Sequence, residues 1–111
     1  MSNQVREEGD RLVVSLEGEV DLDRAPEVRR LLLGCTAKGR DVLVDLSAVS
    51  YIDSSGIASL VEALQSAGRG GTSLGLVAVS PEALRVFELA RLGKVFTIHA
   101  DLGAALAETP C

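Results

Sequence analysis

Aromatic residues are scarce in this sequence of 111 residues, which has no tryptophan and contains only Tyr51, Phe87 and Phe96 as aromatic side chains. Proteins that hold single-stranded nucleic acids rely largely on stacking of bases against aromatic rings, so the sequence argues against that kind of binding. The hydrophobic core has to be built from leucine, valine, isoleucine and alanine instead.

An excess of positive charge is also missing, because 11 lysines and arginines stand against 16 acidic residues and leave a net charge of −5. Duplex DNA and anionic membranes are bound chiefly by basic side chains that neutralise phosphate groups. We therefore expect no nucleic-acid partner. A net charge of this size also helps to keep a small domain dispersed in solution.

Long apolar runs are absent: no stretch is long enough to span a bilayer, and residues 1–8 lack the apolar core of a secretory signal. The two cysteines, Cys35 and Cys111, are not spaced like metal ligands. Cysteines of this kind are typical of free thiols in a reducing compartment. We expect a cytoplasmic protein with no direct membrane insertion, no metal and no other cofactor.

Catalytic patterns are equally sparse. The only histidine is His99, and no Gly-x-Ser-x-Gly motif is present, so a serine hydrolase is disfavoured. The glycines of residues 68–71 follow a predicted helix and precede a strand, which is the reverse of a phosphate-binding loop. We expect the protein not to be an enzyme. A small nucleotide-binding enzyme that uses the helix start near Asp53 stays open as an alternative, although a Walker-type loop is lacking.

Apolar patterns predict strands at residues 12–16, 42–46, 74–79 and 95–98, with a polar edge strand at residues 3–8 that forms a hairpin with the first. Four amphipathic helices alternate with them. This order predicts a single α/β domain over residues 1–111, with a mixed, mostly parallel sheet. Within it, we expect Gly18 to end the first strand, Gly75 to pack on neighbouring backbone and Ala90 to face inward.

The segment at residues 51–56, YIDSSG, joins the most hydrophobic strand to a helix that carries Ile57, Leu60 and Leu64 on one side. The helix begins with N–H groups that have no partner inside the helix, and either Asp53 or Ser54 is placed to cap them. The same helix end attracts anions, so a phosphate esterified to Ser54 is a second interpretation. On the residues of this segment alone, both interpretations stay open.

Four segments occur in the order seen in STAS domains: GEVD at residues 18–21, VLVDL at 42–46, YIDSSG at 51–56 and LRVFEL at 84–89. The chain resembles the anti-sigma factor antagonists of that family. The resemblance implies the STAS fold, a mixed, mostly parallel sheet with an N-terminal hairpin and about four helices, mainly on one side. It also implies that the loops before the first two helices meet at one end of the sheet.

The resemblance further implies a function. In this family the unphosphorylated protein sequesters an anti-sigma factor that is also a serine/threonine kinase, and a sigma factor is released. Phosphorylation of the first serine of the motif, here Ser54, ends the complex, and a serine phosphatase restores it. The resemblance brings Asp21 and Asp23 near Asp53. Next to them, the residue types predict a small-residue surface flat enough for a partner to dock, made by Ser54, Ser55, Gly56, Ala58 and Ser59.

Two other binding roles remain open on the sequence. One is a STAS subunit constitutively bound to the ATPase of a transporter, and the other is a scaffold adaptor in a sensory complex. A cluster of Asp21, Asp23 and Asp53 suits a divalent cation in principle, because such ions prefer carboxylate oxygens. The receiver-domain pattern that uses such a cluster needs a lysine near the end of a late strand, whereas Lys94 precedes its strand. We therefore expect no metal site.

Overall fold

The computed structural model describes residues 3–107 and contains one five-stranded sheet in the order β1-β2-β3-β4-β5. The first two strands are antiparallel and all other neighbours are parallel. The elements in chain order are β1 (Gln4–Glu8), β2 (Arg11–Val20), α1 (Ala25–Thr36), β3 (Val42–Ile52), α2 (Ser54–Arg69), β4 (Leu74–Val77), α3 (Pro81–Leu89), β5 (Thr97–His99) and α4 (Leu102–Ala107). The predicted α/β fold, with its leading hairpin and four helices, is confirmed.

The two faces of the sheet are covered unequally. On one face Leu12, Val14 and Leu16 of β2 join the main core, together with buried residues of α1, α2 and α3. On the other face Val13 belongs to a smaller cluster that contains Ala105 of α4. This alternation along β2 is that of a strand buried on both sides. Three of the helices thus lie on one side, as expected.

Strands β2 and β3 run further than their sequence pattern predicts. Gly18 does not end β2, because the strand continues to Val20 through a register shift against β3 next to Gly18, whose φ is +76°. β3 likewise continues past Leu46 to Ile52. The shifts interrupt the strict alternation of apolar and polar residues, and this interruption hides the second half of both strands from pattern analysis.

Smaller corrections concern the second half of the chain. α3 ends at Leu89, so Ala90 is exposed and does not face inward. β4 stops at Val77, because Ala78 has a φ of +52° that strand geometry does not allow. Gly75 pairs with Leu43 of β3 and Thr97 of β5, but the atoms nearest to a Cβ added there would be side-chain atoms of His99 and Leu43, each at 3.4 Å, and not backbone.

Two helix starts follow from local sequence signals. The Ser80 side chain caps α3 by accepting from the N–H of Ala83, with Pro81 at the first helical position. Asp101 accepts from the N–H of Ala104 at the start of α4. Cys35 is buried on the inner side of α1, whereas Cys111 lies outside the described residues. Between residues 3 and 107, no helix combines the length and apolar character needed to cross a membrane.

Candidate functional site

The candidate site lies at the carboxyl ends of β2 and β3, where ligand sites of parallel sheets are usually found. The N–H of Asp53 donates to the carbonyl oxygen of Val20 at 3.3 Å, so the end of β3 is bonded directly to the end of β2. Asp21 follows Val20, and Ser54 follows Asp53. The loops that precede α1 and α2 therefore meet at one end of the sheet, as the resemblance implied.

Asp53, rather than Ser54, caps α2. Its backbone is extended, with φ −107° and ψ −174°, and its Oδ1 accepts hydrogen bonds from the N–H groups of Ser55 at 2.9 Å and Gly56 at 3.1 Å. This is the geometry of an acidic N-cap. Capping by Asp53, one of the two alternatives left open by the sequence, is confirmed, and two N–H groups of the first turn are already bonded to its carboxylate.

Ser54 is the first residue of α2 and is exposed to solvent. Within residues 3–107 its side-chain hydroxyl takes part in no hydrogen bond, so the oxygen is available to a partner or a modifying enzyme. Ala58, one turn further along the helix, is also exposed, and Ser55 is half-buried. These three small residues form the accessible part of the first two turns of α2.

Gly56 and Ser59 lie beneath this surface. A Cβ atom on Gly56 would come within 2.7 Å of both the Val20 carbonyl oxygen and the Cγ1 of Ile52. Only a glycine allows α2 to approach the end of β2 this closely. Ser59 is buried, with 5% of its surface exposed. Its hydroxyl oxygen lies 3.2 Å from the carbonyl oxygen of Ala25 and 3.1 Å from that of Ser55. The small-residue surface is therefore narrower than the sequence predicts.

Asp21 and Asp23 lie in the loop before α1. The Oδ1 of Asp21 accepts from the N–H of Asp23 at 3.1 Å and from that of Arg24 at 3.2 Å, so the Asp21 carboxylate is used to shape its own loop. The Asp23 side chain is exposed. Across the described part of the chain, no group of three His, Cys, Asp or Glu side chains is arranged to hold a metal ion.

A groove of about 510 Å³ between α1 and α2 adjoins these residues and is not predicted by the sequence analysis. Leu22, with 69% of its surface exposed, lies at this groove, and an ion pair joins Arg29 to Glu62 across the two helices. An apolar residue in the middle of a polar loop is the one signal in the sequence that could have identified it. The groove is lined by Leu22, Ala25, Pro26, Arg29, Arg30, Ser55, Ala58, Ser59 and Glu62.

Comparison with known proteins gives consistent matches. The STAS domain profile matches residues 2–105. The anti-sigma-B factor antagonist of Bacillus subtilis (strain 168) is 30% identical over 96 residues, which cover 86% of this chain and 88% of the relative. These matches extend over almost the whole chain, so they apply to the complete sheet and its helices.

Solved structures of anti-sigma factor antagonists also resemble this chain. The crystal structure of an anti-sigma factor antagonist from Mycobacterium paratuberculosis has a TM-score of 0.86 and 30% identity, covering 95% of this chain and 90% of that one. The phosphorylated form of the Bacillus cell fate determinant SpoIIAA, at 20% identity, shares the fold with a TM-score of 0.73, covering 95% of this chain and 96% of that one. The chain therefore belongs to the STAS domain family.

Proposed function

We propose that this protein is an anti-sigma factor antagonist whose binding is switched by phosphorylation of Ser54. In its unphosphorylated form it sequesters an anti-sigma factor serine kinase and so releases a sigma factor. The observation that carries the proposal is the position of Ser54, an exposed serine with an available hydroxyl at the start of α2, in a chain similar to antagonists of this kind. The protein is then a ligand and a substrate, without catalytic turnover of its own.

The switch works through charge in the contact with the partner. A phosphoserine adds close to two negative charges at neutral pH. On Ser54 they stand beside the carboxylate of Asp53, which already bonds the N–H groups of Ser55 and Gly56. Like charges in a contact that excludes water oppose docking, so modification favours release of the partner.

The partner-binding surface in this proposal comprises the loop before α1 and the first turns of α2. Ser54, Ala58 and Ser55 supply small residues that allow close approach, and Asp23 contributes an exposed carboxylate. The other predicted residues hold this surface in place: Gly56 and Ser59 by packing beneath it, and Asp21 and Asp53 by bonding the backbone of their own loop and helix start. The whole chain acts as a single STAS domain in the cytoplasm, together with its kinase and a serine phosphatase.

Mass spectrometry of the protein taken from its own cells tests the phosphorylation. We expect one phosphate on Ser54, which is lost in Ser54→Ala and retained in Ser55→Ala, a matched control at the neighbouring, half-buried serine. Phosphate on Ser55 and not on Ser54 would contradict the assignment. No phosphate under any growth condition would favour a constitutive transporter or scaffold subunit instead.

Binding to the anti-sigma factor kinase from the same cells tests the electrostatic step. Ser54→Ala should bind like the parent protein, whereas Ser54→Asp should bind at least about fivefold more weakly, equivalent to about 1 kcal/mol, because docking removes the added carboxylate from water beside the like charge of Asp53. Ser54→Asn is the control of similar size without charge. Equal affinities of the Asp and Asn variants for the kinase would refute release by charge.

A further inference from the structure

The side chain of Arg24, at the start of α1, connects three separate parts of the chain. Its Nη1 donates to the carbonyl oxygens of Glu17 at 2.6 Å and Glu19 at 2.7 Å, and its Nη2 donates to the side-chain oxygen of Asn3 at 2.7 Å. The side chain is half-buried. A planar guanidinium with several fixed donors is suited to hold several oxygens at once, which a lysine ammonium does less well.

The two carbonyl groups belong to the irregular part of β2. Register shifts against β3 occur between Ser15 and Glu17 and between Gly18 and Glu19, so regular pairing is interrupted on both sides of Glu17. Arg24 bonds the backbone on either side of Gly18, and thereby ties this interrupted segment to the start of α1. The end of β2 is held by a side chain where the strand ladder is incomplete.

The end of β2 in turn determines where α2 begins. The Val20 carbonyl oxygen accepts from the N–H of Asp53, and the same oxygen is the backbone atom on which Gly56 packs so closely. On the opposite side, the Ser59 hydroxyl lies within hydrogen-bonding distance of the Ala25 carbonyl oxygen. The start of α1 is thus linked to the first two turns of α2 by two routes, one through Arg24 and β2, and one through Ser59.

We infer that Arg24 is a positioning residue for partner recognition, which holds the loop at residues 21–24 and the first turn of α2 in one arrangement so that the partner binds Leu22 and Ser54 together. This inference rests on the proposed function. Arg24 acts through β2, while the contact with the partner is made by the exposed residues on either side. A surface already arranged for binding costs less to order in the complex.

Amide hydrogen exchange tests whether Arg24 holds this arrangement. In Arg24→Ala we expect exchange about tenfold faster at the N–H groups of Asp23, Ala25 and Asp53, because each hydrogen bond of the loop and its junction opens more often. The N–H of Ala83 in α3 is the internal control and should be unchanged. Arg40→Ala is the matched variant, since Arg40 pairs with Glu7 at 3.0 Å and lies two residues before the start of β3, at the end of the strand opposite to Asp53.

Phosphorylation kinetics with the cells' own anti-sigma factor kinase test the role in recognition. Arg24→Ala should raise KM about tenfold, equivalent to about 1.4 kcal/mol, with kcat within about twofold of the parent. Arg24→Lys should fall between the two, because one ammonium cannot bond all three oxygens. If Arg24→Ala loses its cooperative unfolding transition, Arg24→Lys carries the same test, with intermediate KM as the expected result.

Two results would overturn the inference. Exchange at Asp23, Ala25 and Asp53 equal to that of the parent would show that Arg24 does not hold the loops, and faster exchange with an unchanged KM would show that the kinase does not depend on their arrangement. Failure of the proposed function is distinguishable, because the parent protein itself would then not be phosphorylated. The exchange measurement needs no kinase. Even if the parent protein is not phosphorylated, exchange in Arg24→Ala equal to that of the parent would therefore overturn the positioning role.

Discussion

Gly56→Ala is the substitution for which the structure gives the sharpest expectation. The added Cβ would lie 2.7 Å from the Val20 carbonyl oxygen, about 0.7 Å short of the 3.4 Å at which ordinary contact begins. The Cγ1 atoms of Ile52 and Val20 are equally close, at 2.7 and 2.8 Å, and both residues are fully buried. The first turn of α2 therefore has to move away from β2.

Overpacking of this kind costs about 1–3 kcal/mol, and the better helix propensity of alanine returns about 0.5–1 kcal/mol. We expect Gly56→Ala to lower the free energy of unfolding by about 1–2 kcal/mol as the net of these two terms. Gly34→Ala, in α1, is the matched control: a Cβ there meets no atom within 4 Å, and the residue is exposed. That variant should be about 0.5–1 kcal/mol more stable than the parent.

Urea unfolding followed by circular dichroism measures both variants under the same conditions, and equal m-values confirm that the free energies are comparable. The two substitutions are chemically identical and should have opposite signs. A Gly56→Ala protein as stable as Gly34→Ala would refute the close approach of α2 to Val20, and with it the second half of the link between Arg24 and Ser54.

Two further predictions concern single side chains. Asp53→Ala should lower the free energy of unfolding by about 1 kcal/mol through loss of the cap, whereas Asp53→Asn keeps a capping oxygen and should stay within a few tenths of the parent; equal urea midpoints for both would contradict the capping role. Burial raises the pKa of the Cys35 thiol above its ordinary value of 9.0. The contribution of this pKa difference to the free energy of unfolding is complete below pH 9. It is lost as the pH rises towards the pKa of the folded protein, because in that range only the thiol of the unfolded chain ionises. The test compares the free energies of unfolding of Cys35→Ala and its parent, both in a Cys111→Ser background. A difference between these free energies that stays constant across this pH range would contradict a raised pKa of Cys35.

The extent to which the sequence predicts the fold depends on whether local chemistry decides the element. Ser80 followed by Pro81 predicts the start of α3 correctly, because a cap and a proline act within one turn. The second halves of β2 and β3 are missed, since Val49 and Ile52 are buried by contacts across a shifted register that the alternation of the chain does not reveal.

In the candidate site too, local chemistry identifies some residues, whereas others depend on contacts between elements far apart in the sequence. Asp53 and Ser54 are identifiable from the motif, and the structure assigns the capping role to Asp53. Ser59 is a small polar residue next to exposed Ala58, and only the approach of α1 makes it a buried link to Ala25. Arg24 is missed for the same reason, because two of its acceptors are backbone oxygens of β2 and the third is the side chain of Asn3, 21 residues away in the sequence.

The cap by Asp53 also decides how a phosphate on Ser54 acts in the proposed switch. If the first-turn amides were free, the helix end would receive the phosphate and partly neutralise it. With Asp53 bonded to the N–H groups of Ser55 and Gly56, the phosphate meets an anion in place of free donors. In the proposed switch, its charge is therefore left uncompensated at the surface proposed to contact the kinase. The same carboxylate caps the helix in the unmodified protein and, in the proposed switch, strengthens the repulsion that would end the complex.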